Sequence, residues 1–153
     1  MLRHVARNHK KVSAIAALCV SPDRRQVRLY FQLLVDENFN SAAVLGFLRQ
    51  LARHLHDPLL LFWDRAKIHR GLSTAVFLDV MGWQQFYFPP YAPELNPVEY
   101  LWGYLKTKPL ANLACPEVAL LAKAGRRHAR SLQHRPSLLR SFIRHSPLAL
   151  RLC

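Results

Sequence analysis

The sequence predicts an α/β fold, and three observations carry it. Apolar residues alternate with period two over Gln26–Val35, recur at helical spacing over Asn38–His56, and run uninterrupted through Leu59–Trp63. In chain order the predicted elements are strand, strand, helix, strand, helix, strand, helix, helix. With 153 residues, 51% of them hydrophobic, the chain can build one globular domain around a substantial core.

Met1–Lys11 is basic and without periodicity, and reads as an arm. Val12–Val20 is a short apolar run closed by the turn residues Ser21-Pro22-Asp23. It pairs with the alternating run that follows, so the two form an antiparallel hairpin with Asp23 as a turn-former at its tip. The basic start and first apolar run imitate a signal peptide, but the matching run Val27–Val35 across a turn favours the hairpin. Asn38–His56 opens on Asn and Ser and places Val44, Phe47, Leu48, Leu51 and Leu55 on one helical face, with Pro58 as a stop. Leu59–Trp63 has the pattern of a strand covered on both faces. Asp64 follows it directly, at the carboxyl end of a strand, where open α/β sheets build their sites. Gly71–Val80 is a predicted helix and Gln84–Phe88 a short strand.

The next stretch changes character. Prolines at 89, 90, 93 and 97 each fix φ and remove a backbone donor, so residues 88–95 should run extended or turned. Asn96 is a favoured N-cap and Pro97 suits a first helical turn, after which Val98, Leu101, Trp102 and Leu105 share a face. This stiff rail delivers Glu99 at the start of a helix. Asn96 and Glu99 occupy the two positions of a capping box, and an acid there also suits the helix dipole. The competing reading makes Glu99 a functional carboxylate. Beyond it, Pro116–Gln133 reads as another helix, and residues 135–153 as a basic tail carrying Arg140, Arg144 and Arg151, only partly ordered.

Charge narrows the partners. The chain has 22 Lys and Arg against 9 Asp and Glu, a net +13, the footprint of a protein that meets a polyanion, with nucleic acid foremost. Residues 101–153 hold ten of those bases and a single acid, Glu117. Lys123, Arg126, Arg127 and Arg130 could form a DNA-facing stripe or a solubilising face, and Lys106 a phosphate contact or a solvated lysine. Three scattered cysteines support neither a disulfide framework nor a zinc site and fit a reducing, cytoplasmic compartment. No apolar run reaches the ~20 residues of a membrane span, so no membrane partner is expected.

Asp64 and Glu99 are separated by 34 residues, each soon after a strand. Two carboxylates at one sheet edge repel unless a cation lies between them. Mg²⁺ takes hard oxygen ligands, often one or two carboxylates plus substrate phosphates, and a pair of such ions can clamp both oxygens of a phosphodiester. A cationic surface with such a pair suggests phosphoryl transfer on nucleic acid.

Trp63-Asp-Arg-Ala-Lys-Ile-His69, followed by Phe88-Pro-Pro-Tyr-Ala-Pro-Glu-Leu-Asn-Pro-Val-Glu-Tyr-Leu-Trp-Gly-Tyr-Leu-Lys106, resembles the catalytic core of the mariner-type DDE transposases, in particular their bacterial insertion-sequence branch. The likeness extends over roughly residues 10–145. It implies a ribonuclease-H-like fold and metal-dependent DNA strand cleavage and transfer, with Mg²⁺ as cofactor, two ions in the intact site, and Mn²⁺ able to substitute. The second and third metal ligands of the family carry over to Asp64 and Glu99, not Glu94. Relatives have Asn where this chain has Arg65, so the bonding around Asp64 is expected to differ. His69 matches the family histidine and reads either as a substrate or supporting contact or as an ordinary helix-start residue. Trp102 lies at a position near the family site, yet its spacing is that of a core residue. The implied partners are transposon ends and target DNA, with a complementing amino-terminal fragment or a second copy as protein partners, and nucleoid association if the source is bacterial.

The family's first catalytic aspartate lies on a first, central strand, upstream of a hairpin like 12–35. Residues 1–11 contain no acid, and Asp23, Asp36 and Asp57 are poorly placed to replace it. The expectation is therefore a partial ribonuclease-H-like domain at 12–134 that lacks this strand and the family's helix-turn-helix region. It would be the carboxy-terminal part of a transposase, inactive alone, from a decayed gene or a split reading frame. Without the strand, two sheet edges should be left open or pair directly, Val12–Val20 with Leu59–Trp63. The alternative is a non-catalytic nucleic-acid-binding protein, or a remnant with no role.

Overall fold

The computed structural model describes residues 11–107, 117–148 and 150–153. The arm at 1–10 and the start of the predicted helix at Pro116 lie outside them. Strands β1 (Val12–Val20) and β2 (Val27–Val35) form the antiparallel hairpin, with Val12 opposite Val35 and Val20 opposite Val27. Its turn is closed by Ser21 N donating to Gln26 O (2.9 Å) and Arg24 N to Ser21 O (2.8 Å). Asp23 acts there as a turn-former, accepting from Arg25 N at 3.1 Å.

The period-two pattern sends the hairpin's side chains into two separate cores. One face carries Ala16, Leu18, Val27, Leu29 and Phe31 into a cluster with Leu101, Leu105, Leu132, Leu139, Phe142 and Ile143. The other presents Ile15, Ala17 and Tyr30 to a cluster of Val44, Phe47, Leu48, Leu51, Trp63, Leu78 and Trp83. The hairpin is thus the middle layer between helix α1 (Ser41–Ala52) and helices α3 (Pro97–Thr107), α4 (Val118–Gln133) and α5 (Pro136–His145). Helix α1 is shorter than the predicted Asn38–His56. It starts at Asn40, whose side chain accepts from Ala43 N at 2.8 Å, and it ends at Arg53, before Pro58 can act as the stop.

Strand β3 (Leu60–Trp63) pairs in parallel with β4 (Gln84–Tyr87) through the crossover helix α2 (Leu72–Val80). Helix α2 ends in a Schellman turn, where Trp83 N bonds Leu78 O, Gly82 N bonds Asp79 O, and Gly82 takes φ 66°. The expectation that β3 is covered on both faces is corrected. Trp63 and Leu61 face the α1 core, but Leu60 is 63% and Phe62 51% exposed, and Phe62 stacks only on Phe86 and Phe88 at one margin. Among the strands, helices α3, α4 and α5 pack chiefly on the hairpin.

The described residues therefore contain two sheets of two strands each, β1–β2 and β3–β4. Strands β1 and β3 feed one core around α1, yet share no ladder. Direct pairing between them does not occur, and no described strand stands between them. A second correction concerns the carboxy-terminal region. The expected basic tail from Arg135 instead contains α5, which buries Leu139, Phe142 and Ile143 beneath the hairpin.

Candidate active site

Asp64 sits at the carboxyl end of β3, and its surroundings are built from neighbours in sequence. Its Oδ1 accepts from Ala66 N at 2.9 Å and lies 2.8 Å from His69 Nδ1. A carboxylate only accepts, so this contact places the imidazole proton on Nδ1. A short 3₁₀ turn at Lys67–His69 brings His69 back over β3, and its ring stacks on Trp63 with 4.5 Å between centroids and 1° between planes. His69 is 13% exposed and Asp64 62% exposed, so the acid faces solvent while its partner is held inside. His69 thus lies between Trp63, on which it stacks, and Asp64, which it bonds.

The rail is fixed to the same strand end. Phe88 N donates to Trp63 O at 2.8 Å, and Arg65 Nε reaches Phe88 O at 3.4 Å. Arg65, the departure from the related pattern, thus ties the residue after Asp64 to the first residue of the rail. From there the chain passes Tyr91, wholly exposed with φ 59°, and a 3₁₀ turn at Pro93–Leu95 that holds Glu94, and enters α3.

At the head of α3 the two readings of Glu99 separate. Asn96 caps with its side chain, accepting from Val98 N at 3.2 Å, and its backbone N–H donates to Pro93 O at 3.0 Å. A capping box needs that same N–H for the Glu99 carboxylate. Glu99 is exposed, and its carboxylate takes no hydrogen bond among the described residues. The preceding 3₁₀ turn has taken its partner, and the acid is left free for other work.

The remaining predicted residues divide. Trp102 is half-buried against the cluster around Leu101 and Leu105, in a packing position. Lys106 is exposed in the last turn of α3. Lys123, Arg126, Arg127 and Arg130 are all exposed on α4, opposite the buried Ala122, Ala129 and Leu132. The Arg65 bridge was not readable from sequence, because only the fold brings Phe88 beside Trp63.

A divalent cation can be tested against this donor set. Asp64 keeps one carboxylate oxygen unengaged and Glu99 keeps both, and hard oxygen donors of this kind fit Mg²⁺ or Mn²⁺. Among the described residues no group of three or more His, Cys, Asp or Glu side chains could hold a metal. In donor chemistry each acid suits an ion that draws other ligands from water and phosphate, and the described acids do not form a complete cage.

A family model described as DDE superfamily endonuclease matches residues 3–119. No curated protein sequence matches. Among solved structures, a Mos1 transposase catalytic domain with raltegravir and Mg aligns at TM-score 0.55 and 15% identity, covering 94% of this chain and 87% of that one. The same domain with raltegravir and Mn aligns at TM-score 0.55 and 18% identity, covering 93% and 83%. The Mos1 mariner paired-end complex with Mn aligns at TM-score 0.54 and 17% identity, covering 84% of this chain and 43% of that one. At these identities the likeness is one of fold.

Proposed function

The chain belongs to the DDE superfamily endonucleases and has the ribonuclease-H-like fold of a mariner-type transposase catalytic domain, and on that premise we propose that it is an incomplete transposase core for metal-dependent DNA strand cleavage and transfer. Asp64 and Glu99 are its two metal-holding acids. The observation that carries this reading is the freedom of the Glu99 carboxylate at a cap whose backbone donor is already used. Mg²⁺ or Mn²⁺, two ions in the complete site, would supply the charge that draws a water or a DNA 3′-hydroxyl toward the scissile phosphate. This chain's own part is positional. His69 and the Ala66 N–H orient Asp64, Arg65 locks the rail to β3, and the rail sets the start of α3 under Glu99.

Among the described residues no third acid joins Asp64 and Glu99. No acid precedes Asp23 in the sequence, and Asp23 is engaged in the hairpin turn. The place for a further strand is between β1 and β3, which border one core without pairing. We assign that place to an extended segment bearing an aspartate, supplied by a complementing amino-terminal fragment, with a second copy of the chain as a further protein partner. The DNA partners would be transposon ends and target, and the working compartment the cytoplasm or nucleoid. Among the described residues no helix is long and apolar enough to cross a membrane.

Plasmid nicking with Mg²⁺ or Mn²⁺ tests the assignment. The chain alone is expected to leave supercoiled DNA intact. Nicking by the chain alone that vanishes in Asp64→Asn and Glu99→Gln would overturn the inactivity but keep the site. Nicking indifferent to both substitutions would remove the site. A second reading, a nucleic-acid-binding protein without catalysis, is favoured by the exposed basic face of α4. It requires binding that needs no metal and survives both substitutions.

A further inference from the structure

The chain's second concentration of positive charge lies away from α4. The hairpin turn carries Arg24 and Arg25, and Arg28 follows on β2. Two other segments are stitched to this turn by backbone carbonyls. Arg140, on α5, donates through Nη1 to Arg25 O at 2.5 Å and through its other terminal nitrogen to Cys153 O. Cys153 N in turn donates to Arg24 O at 3.1 Å, which brings Arg151 to the same place. Arg144 follows one turn after Arg140 on α5. Arg24, Arg25, Arg28, Arg144 and Arg151 are all exposed.

Ion pairs with Asp or Glu side chains do not explain this gathering. The one ion pair among the described residues is His69–Asp64, so none of these guanidiniums has a carboxylate partner there. The single acid of the turn, Asp23, is engaged by Ser21 Oγ and Arg25 N. Arg28 reaches only the neutral amide of Gln26, at 3.0 Å. Two stretches of chain remote in sequence thus set five guanidiniums, none in an ion pair among the described residues, around one turn, through hydrogen bonds made by Arg140 and Cys153. Their mutual repulsion works against the fold, and an external polyanion would relieve it. All five are arginines, whose planar fork engages phosphate oxygens in bidentate fashion.

We propose that the hairpin turn, α5 and the segment ending at Cys153 form a second DNA-binding surface, on which Arg24, Arg25, Arg28, Arg144 and Arg151 grip the phosphate backbone. This rests on the proposed action on DNA only for the identity of the partner. Arg140 is the staple that shapes the surface, and the other five make the contacts.

The test is titration of a fluorescent DNA duplex of about 30 base pairs in metal-free buffer, between roughly 50 and 200 mM salt. Each lost phosphate contact should lower the salt slope by about 0.9, so R24Q/R25Q/R28Q/R151Q should lose between about 3 and 4 in slope. R24K/R25K/R28K/R151K should keep most of the slope, which separates charge from damage to the turn. Neutralising the α4 face (K123Q/R126Q/R127Q/R130Q) should leave the contribution of the turn in place. An unchanged slope in the glutamine variant overturns the proposal. So does an unaltered duplex affinity accompanied by lost binding to phosphatidylserine vesicles. Asp64→Asn and Glu99→Gln should not move the slope, so a failed nicking assay and a failed docking surface are told apart.

Discussion

Asn96 and Glu99 look interchangeable as helix-start residues, yet the structure gives them different work. Asn96 caps α3 with its side chain, and its own N–H is taken by Pro93 O. Asn96→Ala should therefore cost about 1 kcal/mol in urea denaturation. Glu99→Gln should stay within about 0.5 kcal/mol, because no fold contact depends on that carboxylate. A loss with Glu99→Gln as large as with Asn96→Ala would return Glu99 to the capping box. Cys19 makes a second case at this scale. Burial pushes its thiol up to about 11, with Arg28 opposite pulling weakly the other way. The folded state therefore holds the proton where the unfolded chain has lost it. This contribution is fully present below pH 9 and fades as pH rises from about 9 toward about 11. The urea midpoint should fall over that interval more steeply than in Cys19→Ala, and iodoacetamide should label Cys19 slowly at neutral pH.

At the scale of elements, what was legible followed from local rules, and what was missed depended on neighbours. The hairpin, α2, β4 and the start of α3 were readable because alternation, turn residues and the Asn-Pro boundary act within a few positions. An uninterrupted apolar run cannot say how many faces are covered, and so β3 was read as buried when Leu60 and Phe62 are exposed. The misreading of α5 had a different origin. Pro136 at a first turn, with Leu139, Phe142 and Ile143 at helical spacing, was a usable signal, hidden among Arg135, Arg140 and Arg144. That helix is part of the core: Leu139 is fully buried beside Leu101 and Leu132. Leu139→Ala should cost between about 2 and 5 kcal/mol, as a core truncation, in chemical denaturation. A dispensable tail would show no change. For the site, what was legible was the place of Asp64 just after β3 and of Glu99 in the first turn of α3. The tie from Arg65 to Phe88 was not, because it joins residues that only the β3–β4 ladder makes adjacent.

For the whole molecule, the decisive feature is the separation of the strands among the described residues into two pairs. A pair of strands is weak by itself, and here each is held by helices rather than by a neighbouring ladder. The open edges of β1 and β3 leave backbone groups to water and invite association. The purified chain should accordingly unfold over a broad range and aggregate on heating. Its β1 and β3 amides should exchange hydrogen faster than the buried face of α1. A sharp, reversible melt with slow exchange along both strands would count against this picture.

The hydrogen bond from Gln133 Nε2 to Leu29 O, 2.9 Å long, joins residues 104 positions apart. Arg140 and Arg25 are 115 apart. During synthesis the hairpin leaves the ribosome well before α4 and α5, by the 104 residues that separate Leu29 from Gln133. Its inner face, with Val27 and Leu29, must wait for those later helices before it can be covered. At a translation rate of roughly 5–20 residues per second, that wait lasts several seconds. The nascent chain spends it with an apolar ribbon uncovered, which makes it a natural client for chaperones until its final helices arrive.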